Sequence, residues 1–159
     1  MTPAGRRSAK DRALGLLGHR ARSRSELSRR LLRAGYPEEE AKEALDDLEA
    51  VGLVDDERFA RELAAHEIQR RGSGRRLAIS ALRGAGVNAE VAERVVEEMG
   101  PVDEEARAEE MARARLGRLS GLDEATAHRR LVSFLSRRGY EGAVARAAAF
   151  RVLSDRVED

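Results

Sequence analysis

The side chains that could bind a cation or perform acid–base chemistry are few, and each set stands alone. Asp55, Asp56 and Glu57 form a run of carboxylates, the ligand type that hard cations such as Mg²⁺ and Ca²⁺ prefer. The same run suits the first turn of a helix, where acidic side chains cap free N–H groups and face the positive end of the helix dipole. Capping explains the run more simply, so we expect no metal site here.

The remaining motifs that could perform chemistry are also weak. His19, His66 and His128 lack the short spacing of a metal-binding motif. Residues 72–74 (Gly-Ser-Gly) lack the Gly-Lys-Ser/Thr ending and the preceding strand of a phosphate-binding loop, so they predict a connector between helices. The chain has no cysteine, which removes thiolate chemistry and disulfides. We predict that the protein is not an enzyme, with no catalytic residue, no metal ion and no cofactor.

Arginine is the group best suited to binding a partner. The 30 Lys and Arg residues nearly balance the 29 Asp and Glu residues, but the two signs alternate along the chain. Residues 1–33 carry ten basic and two acidic side chains, whereas residues 34–67 carry three and twelve. Basic residues prevail again over residues 68–83 and 112–138. One such block is usually a solvated helix face, but blocks aligned by a repeat would attract a polyanion or an acidic protein.

We therefore predict a basic partner-binding face built from these blocks. The arginines do not keep a common position in the repeat, which favours a diffuse electrostatic surface over one contact used three times. The predicted residues are Arg29, Arg30, Arg33, Arg71, Arg75, Arg76, Arg83, Arg129, Arg130, Arg137 and Arg138.

The elements that would position these arginines follow from a repeated pattern. Gly35, Gly86 and Gly139 lie 51 and 53 residues apart, and each comes four residues after a leucine. Tyr36, Val87 and Tyr140 follow these glycines directly. A glycine and then an apolar residue at the end of an apolar helix pattern is typical of a helix C-terminus closed by a left-handed turn.

Each glycine lies between two predicted helices. The preceding helices carry apolar pairs four residues apart, and the following helices carry apolar residues at i, i+3, i+4 and i+7. A further helix precedes each pair and also carries apolar residues. These are Ala13, Leu14 and Leu17 in the first repeat, Phe59, Leu63 and Ile68 in the second, and Met111 and Leu116 in the third. Ser23 and Glu26 predict a capping box at the start of the first of the paired helices.

The predicted fold is all-α: nine helices in three tandem three-helix repeats that form an elongated, curved (crescent-like) stack. A repeat of this kind presents a surface rather than a pocket. We expect a flexible basic N-terminus over residues 1–10, repeats over residues 11–53, 54–100 and 101–153, and a C-terminal tail over residues 154–159.

Several segments together resemble the RecX family of bacterial recombination regulators. They are residues 23–27 (Ser-Arg-Ser-Glu-Leu), 52–60 (Gly-Leu-Val-Asp-Asp-Glu-Arg-Phe-Ala), 71–77 (Arg-Gly-Ser-Gly-Arg-Arg-Leu), 129–131 (Arg-Arg-Leu) and 137–140 (Arg-Arg-Gly-Tyr). The similarity extends from about residue 11 to residue 153. The positions that carry this signature and its structural role are Gly35, Tyr36, Asp55, Asp56, Phe59, Gly86, Gly139 and Tyr140.

The resemblance implies a regulator of DNA repair and recombination that binds the RecA recombinase, especially its filament on single-stranded DNA, and lowers ATP hydrolysis, strand exchange or filament growth. The family brings no catalytic residues. A direct nucleic-acid-binding protein with basic helices remains the alternative, although few aromatic side chains are present to stack on bases. We expect a cytoplasmic monomer with at most weak direct DNA contact and no membrane association, because no apolar run approaches the length of a membrane span.

Overall fold

The computed structural model describes residues 5–100 and 102–157 of the 159-residue chain. Within these ranges the chain forms nine α-helices and no strand, which confirms the all-α repeat fold. The helices are α1 (Ala9–His19), α2 (Arg24–Arg33), α3 (Glu38–Ala50), α4 (Asp56–Ala65), α5 (Arg75–Gly84), α6 (Ala89–Glu98), α7 (Val102–Arg115), α8 (Glu124–Arg137) and α9 (Gly142–Val157). A π-helical segment, His66–Arg70, continues α4, and a 3₁₀ segment, Leu116–Leu119, continues α7.

The helices are grouped into three modules, each with its own hydrophobic core: α1–α3 (module 1), α4–α6 (module 2) and α7–α9 (module 3). The apolar pairs of the second helices are fully buried, as the sequence predicts. These pairs are Leu27 and Leu31, Ala78 and Leu82, and Leu131 and Leu135. The third helices also bury their predicted face, with Met99 of module 2 only partly covered. A small core in each module means that the contacts between modules add needed stability.

The three predicted glycine turns have one geometry. Gly35, Gly86 and Gly139 all have a positive φ, between 83° and 92°. In each turn the glycine N–H and the next N–H donate to carbonyls of the last helical turn, at distances of 2.9 to 3.1 Å. This pair of hydrogen bonds is a Schellman motif, in which the apolar residue after the glycine packs against the last turn of the helix. Tyr36, Val87 and Tyr140 are accordingly buried.

The apolar residues named for the first helices are buried to different degrees. Ala13 and Ile68 are buried and Leu14 is 40% exposed, while the others pack partly buried against the module cores. Alanines four residues apart form the centre of the core face: Ala9 and Ala13, Ala60 and Ala64, and Ala108 and Ala112. Because the methyl group of alanine is small, each first helix can lie close to the third helix of its module, which is its main neighbour. Of the larger side chains of these helices, Leu14 then lies mostly outside the core.

The modules are joined through their second helices, and the joint between modules 2 and 3 (joint 2–3) consists largely of backbone. The N–H of Gly74, just before α5, donates to the carbonyl of Arg138 at 2.7 Å. The N–H of Arg76 donates to the carbonyl of Gly139 at 3.1 Å. The hydroxyl of Tyr140 donates to the carbonyl of Gly72 at 2.8 Å. The C-terminal turn of α8 therefore lies against the N-terminus of α5, and residues 72–74 form this joint as well as a connector.

The joint between modules 1 and 2 (joint 1–2) repeats this arrangement with side chains. The hydroxyl of Ser23, before α2, donates to the carbonyl of Ala85 in the turn that ends α5. The N–H of Arg24 donates to the carboxylate of Asp56 at 2.8 Å. In joint 2–3 the equivalent N–H, that of Arg75, donates to the carboxylate of Glu104 at 3.0 Å. In both α2 and α5 the first helical N–H is thus satisfied by a carboxylate of the following module.

The N-terminal segment covers the turn that ends α2. The guanidinium of Arg6 lies over the ring of Tyr36 at 4.1 Å and donates to the carbonyls of Ala34 and Gly35. The hydroxyl of Tyr36 donates to the carbonyl of Arg7 at 2.7 Å. The Tyr36 hydroxyl therefore makes the same kind of hydrogen bond to a backbone carbonyl of the N-terminal segment as the Tyr140 hydroxyl makes to that of Gly72. Residues 1–4 of the predicted N-terminus lie outside the described residues.

We expect Gly74→Ala to weaken joint 2–3. A Cβ at this position would lie 2.5 Å from the carbonyl carbon of Gly139, so backbone has to move, although φ at Gly74 is an ordinary −74°. The loss should be about 1–3 kcal/mol of unfolding free energy, measured by urea denaturation. Gly84→Ala is the control, since its Cβ would meet nothing within 4 Å. Equal stability of the two variants would show that the close approach contributes nothing.

Candidate partner-binding surface

A basic groove runs between modules 1 and 2. It has a volume of about 1130 Å³ and is bordered by α1, α2, α4 and the end of α5. Five arginines line it, against two glutamates, Glu26 and Glu62. The arginines are Arg12, Arg20, Arg29, Arg30 and Arg33. A positive groove of this size can hold a chain segment of an acidic partner rather than a small substrate.

Glu26 organises one wall of the basic groove. Its carboxylate accepts from Arg20 at 2.6 Å, from Arg30 at 3.1 Å and from Arg22. Burial acts to raise the pKa of Glu26, but the hydrogen bonds from Arg20 and Arg22 outweigh it and hold the pKa below its usual value. The predicted capping box is only half right: Ser23 accepts from the Glu26 N–H at 3.1 Å, while the Glu26 carboxylate binds arginines instead.

Three of the groove arginines keep their charge available. Arg12, Arg29 and Arg33 are exposed, and they have no ion pair or side-chain hydrogen bond with another part of the described chain. Their guanidinium groups can therefore meet an anionic partner without first breaking an internal bond. Arg29 and Arg33 belong to the predicted face. Arg12 does not, because its part in the groove depends on how α1 lies beside α2, which the linear pattern does not specify.

The repeat provides an internal comparison for these arginines. Counting from the turn glycine, the positions of Arg29, Arg30 and Arg33 in α2 are occupied in α5 by residues that carry no charge. These residues are Ser80, Ala81 and Gly84. Since α5 forms the same helix, turn and joint without arginine at these positions, the scaffold does not need the α2 arginines. In α8 the same three positions hold Ser133, Phe134 and Arg137.

Four other predicted arginines lie at joint 2–3. Arg71 pairs with the buried Glu67 at 3.0 Å, and the guanidinium of Arg76 donates to the carbonyl of Ser136 at 3.2 Å. Arg75 and Arg138 hold the joint through their backbone groups. Of these four described side chains, only that of Arg76 therefore bonds across the joint, and reversing its charge would also disturb module packing.

The remaining predicted arginines are exposed. Arg83 lies in the last turn of α5, beside the residues that close the basic groove. Arg129 and Arg130 are exposed on α8, where Arg137 donates to the hydroxyl of Ser133 at 3.3 Å. The structure thus distributes the eleven arginines among the groove, joint 2–3 and the outside of α8.

Asp55, Asp56 and Phe59 are neighbours in sequence but make different contacts. Asp55 caps α4 by accepting from the Arg58 N–H at 3.1 Å, which confirms the capping interpretation. Asp56 instead binds module 1, as described for joint 1–2, and Phe59 lines the basic groove. Among the described residues, no group of three or more His, Cys, Asp or Glu side chains is arranged to hold a metal ion.

The family follows from comparison with known proteins. Residues 9–48 match the description "RecX, first three-helix domain" and residues 103–148 match "RecX, third three-helix domain". Regulatory protein RecX of Amycolatopsis mediterranei (strain U-32) is 40% identical over 134 residues, which cover 84% of this chain and 77% of that protein. The chain belongs to the RecX family. Regulatory protein RecX of Corynebacterium efficiens is 39% identical over 153 residues, covering 93% and 73%.

Solved RecX structures share the fold of this RecX-family chain. The crystal structure of RecX from Lactobacillus salivarius has a TM-score of 0.84, covers 91% of this chain and 94% of its own, and is 16% identical. A second crystal structure of regulatory protein RecX has a TM-score of 0.77 at 21% identity and covers 86% of this chain and 67% of its own. In the part of this RecX-family chain that is described, no helix is long and apolar enough to cross a membrane.

We expect Glu26→Gln to lower stability in a pH-dependent way. The folded-state pKa of Glu26 lies below its usual value near 4.5, so its ion pairs stabilise the fold above that pH and are lost as the pH falls through the folded-state pKa. At pH 7 the variant should lose about 1 kcal/mol in urea denaturation, and the loss should vanish under acid conditions. Exposed Glu110, changed to Gln, is the control. A loss that persists unchanged at low pH would contradict the role of the charge.

Proposed function

We propose that this RecX-family protein is a non-enzymatic regulator of homologous recombination that binds the RecA recombinase filament on single-stranded DNA and lowers its activity. Family membership supports this proposal, because the relatives are named regulatory proteins. The observation that carries it at the level of the site is the basic groove, whose unpaired arginines have no counterpart in α5. The protein then acts as a cytoplasmic monomer beside the recombinase.

Binding by surface contact fits the architecture. Three small modules in a row can touch several neighbouring subunits of a filament, and linked weak contacts raise the overall affinity well above that of any single one. Arg29 and Arg33 in the groove and Arg129 and Arg130 on α8 lie in different modules. Contacts through both sets would hold the regulator along the filament rather than at one point.

Direct nucleic-acid binding is the second candidate, and the unpaired arginines favour it. It requires tight binding to naked DNA with a steep salt dependence, roughly 0.7 to 0.9 log units for each phosphate contacted. The two carboxylates that line the basic groove, those of Glu26 and Glu62, oppose a phosphate backbone there. We therefore assign direct DNA contact a minor role.

The purified protein, added to RecA filaments at a one-to-one ratio, should reduce ATP hydrolysis and filament length. Arg29→Glu combined with Arg33→Glu should raise the inhibitory concentration by about tenfold, because charge reversal at an interface removes attraction and adds repulsion. Helical content should not change, since both side chains are exposed and unpaired.

The matched control is Arg118→Glu combined with Arg156→Glu, which makes the same charge change at exposed positions of module 3 outside the groove. No effect of the unchanged protein on ATP hydrolysis or filament length would refute the proposed function. Equal inhibition by the two double variants would instead remove the basic groove from the interface.

A further inference from the structure

A second cavity adjoins the basic groove at the contact between modules 1 and 2. This leucine cleft has a volume of about 390 Å³ and includes Leu14, Leu17 and Leu53. Phe59, Ala21 and Glu62 line both cavities, so the two are direct neighbours. Leu14 is 40% exposed and Leu53 is 50% exposed. Apolar side chains of this size, gathered in a depression, are typical of an interaction site.

Leu14 and Leu53 are exposed and are not part of a module core, whereas Leu17 and Phe59 pack partly against one. When α7 is aligned with α4 on their buried alanines, Arg107 takes the position of Phe59. Arg107 lines a cavity at joint 2–3 together with Arg75 and Glu104. That cavity is only about 100 Å³ and charged. The same joint can therefore be closed with polar residues. The larger cleft with exposed leucines at joint 1–2 is a departure from the repeat, as Arg29 and Arg30 are.

We propose that the leucine cleft and the basic groove together bind an acidic, amphipathic peptide segment of a partner protein. Apolar side chains of the segment occupy the surface formed by Leu14, Leu53 and Phe59. Its carboxylates face Arg29 and Arg33, which have no other partner among the described residues. Combining an apolar floor with charged edges gives both affinity and a fixed direction of binding.

A nucleic acid fits the same surface less well. Single-stranded DNA is held by aromatic side chains that stack on successive bases, and Phe59 is the one Phe, Tyr or Trp among the residues that line the two cavities. The other large apolar side chains are leucines, Glu62 lies in both cavities, and Arg22, Asp55 and Arg58 border the leucine cleft. An apolar segment with carboxylates satisfies these features, whereas a phosphate chain leaves the leucines uncovered.

The test uses fluorescence anisotropy with the full chain and three probes. The first is a labelled twelve-residue peptide of glutamates with leucines at i, i+3, i+4 and i+7. The second carries glutamine in place of each leucine and keeps the charge. The third is an unlabelled oligothymidylate of twelve nucleotides, added as competitor. We expect the first peptide to bind, the second to bind about tenfold more weakly, and the oligonucleotide not to displace the first.

Leu14→Gln combined with Leu53→Gln should weaken binding of the first peptide by about tenfold. Leu32→Gln combined with Val51→Gln is the matched control, since these side chains are 43% and 70% exposed but lie outside both cavities. Circular dichroism checks that the variants keep their helical content.

The proposal is overturned if the first peptide does not bind, if the glutamine peptide binds equally well, or if the two leucine variants behave alike. Displacement by the oligonucleotide would assign the surface to nucleic acid instead. Because no recombinase is present, a negative result here leaves the filament experiment above unaffected, and the reverse also holds.

Discussion

The assembly of the three modules depends on how the free N–H and carbonyl groups at the ends of the second helices find hydrogen-bond partners. A helix leaves N–H groups free at its start and carbonyls free at its end, and burying either without a partner is costly. The glycine turns use the last carbonyls of α2, α5 and α8 internally. The starts of α2 and α5 receive carbonyls from the next module's turn and a carboxylate from its first helix. Folding of one module thus completes the helix ends of its neighbour.

Much of this scaffold is predictable from sequence because it depends on local rules. The positive φ of Gly35, Gly86 and Gly139 and the burial of the adjoining leucines follow from spacing alone. The core face of the first helices is not predictable in the same way, because Leu14 and Phe59 are more hydrophobic than Ala13 and Ala60. Close helix packing favours the alanines, and that preference is tertiary.

The candidate site is less predictable than the fold for a related reason. Arginine-rich segments identify Arg29 and Arg33, but nothing in the linear pattern separates them from Arg76, whose guanidinium bonds a neighbouring module. Arg12 and Leu53 join the surface only because α1 and the end of module 1 lie against α4. A comparison of equivalent positions in the three modules supplies the missing criterion. Where the backbone repeats but the residue differs between modules, the scaffold does not require that residue.

The N-terminal segment over the turn of α2 has a consequence for assembly. Each joint pairs the start of one helix with the turn that ends another, so its two surfaces are different. An interface of this heterologous kind can in principle add further modules without limit. Arg6 and Arg7 occupy the free turn at one end of the array. At the other end α8 begins one helical turn earlier, relative to its glycine, than α2 and α5 do. The turn of α2 is therefore covered by the same chain, and the longer start of α8 differs from the helix starts that form the two joints.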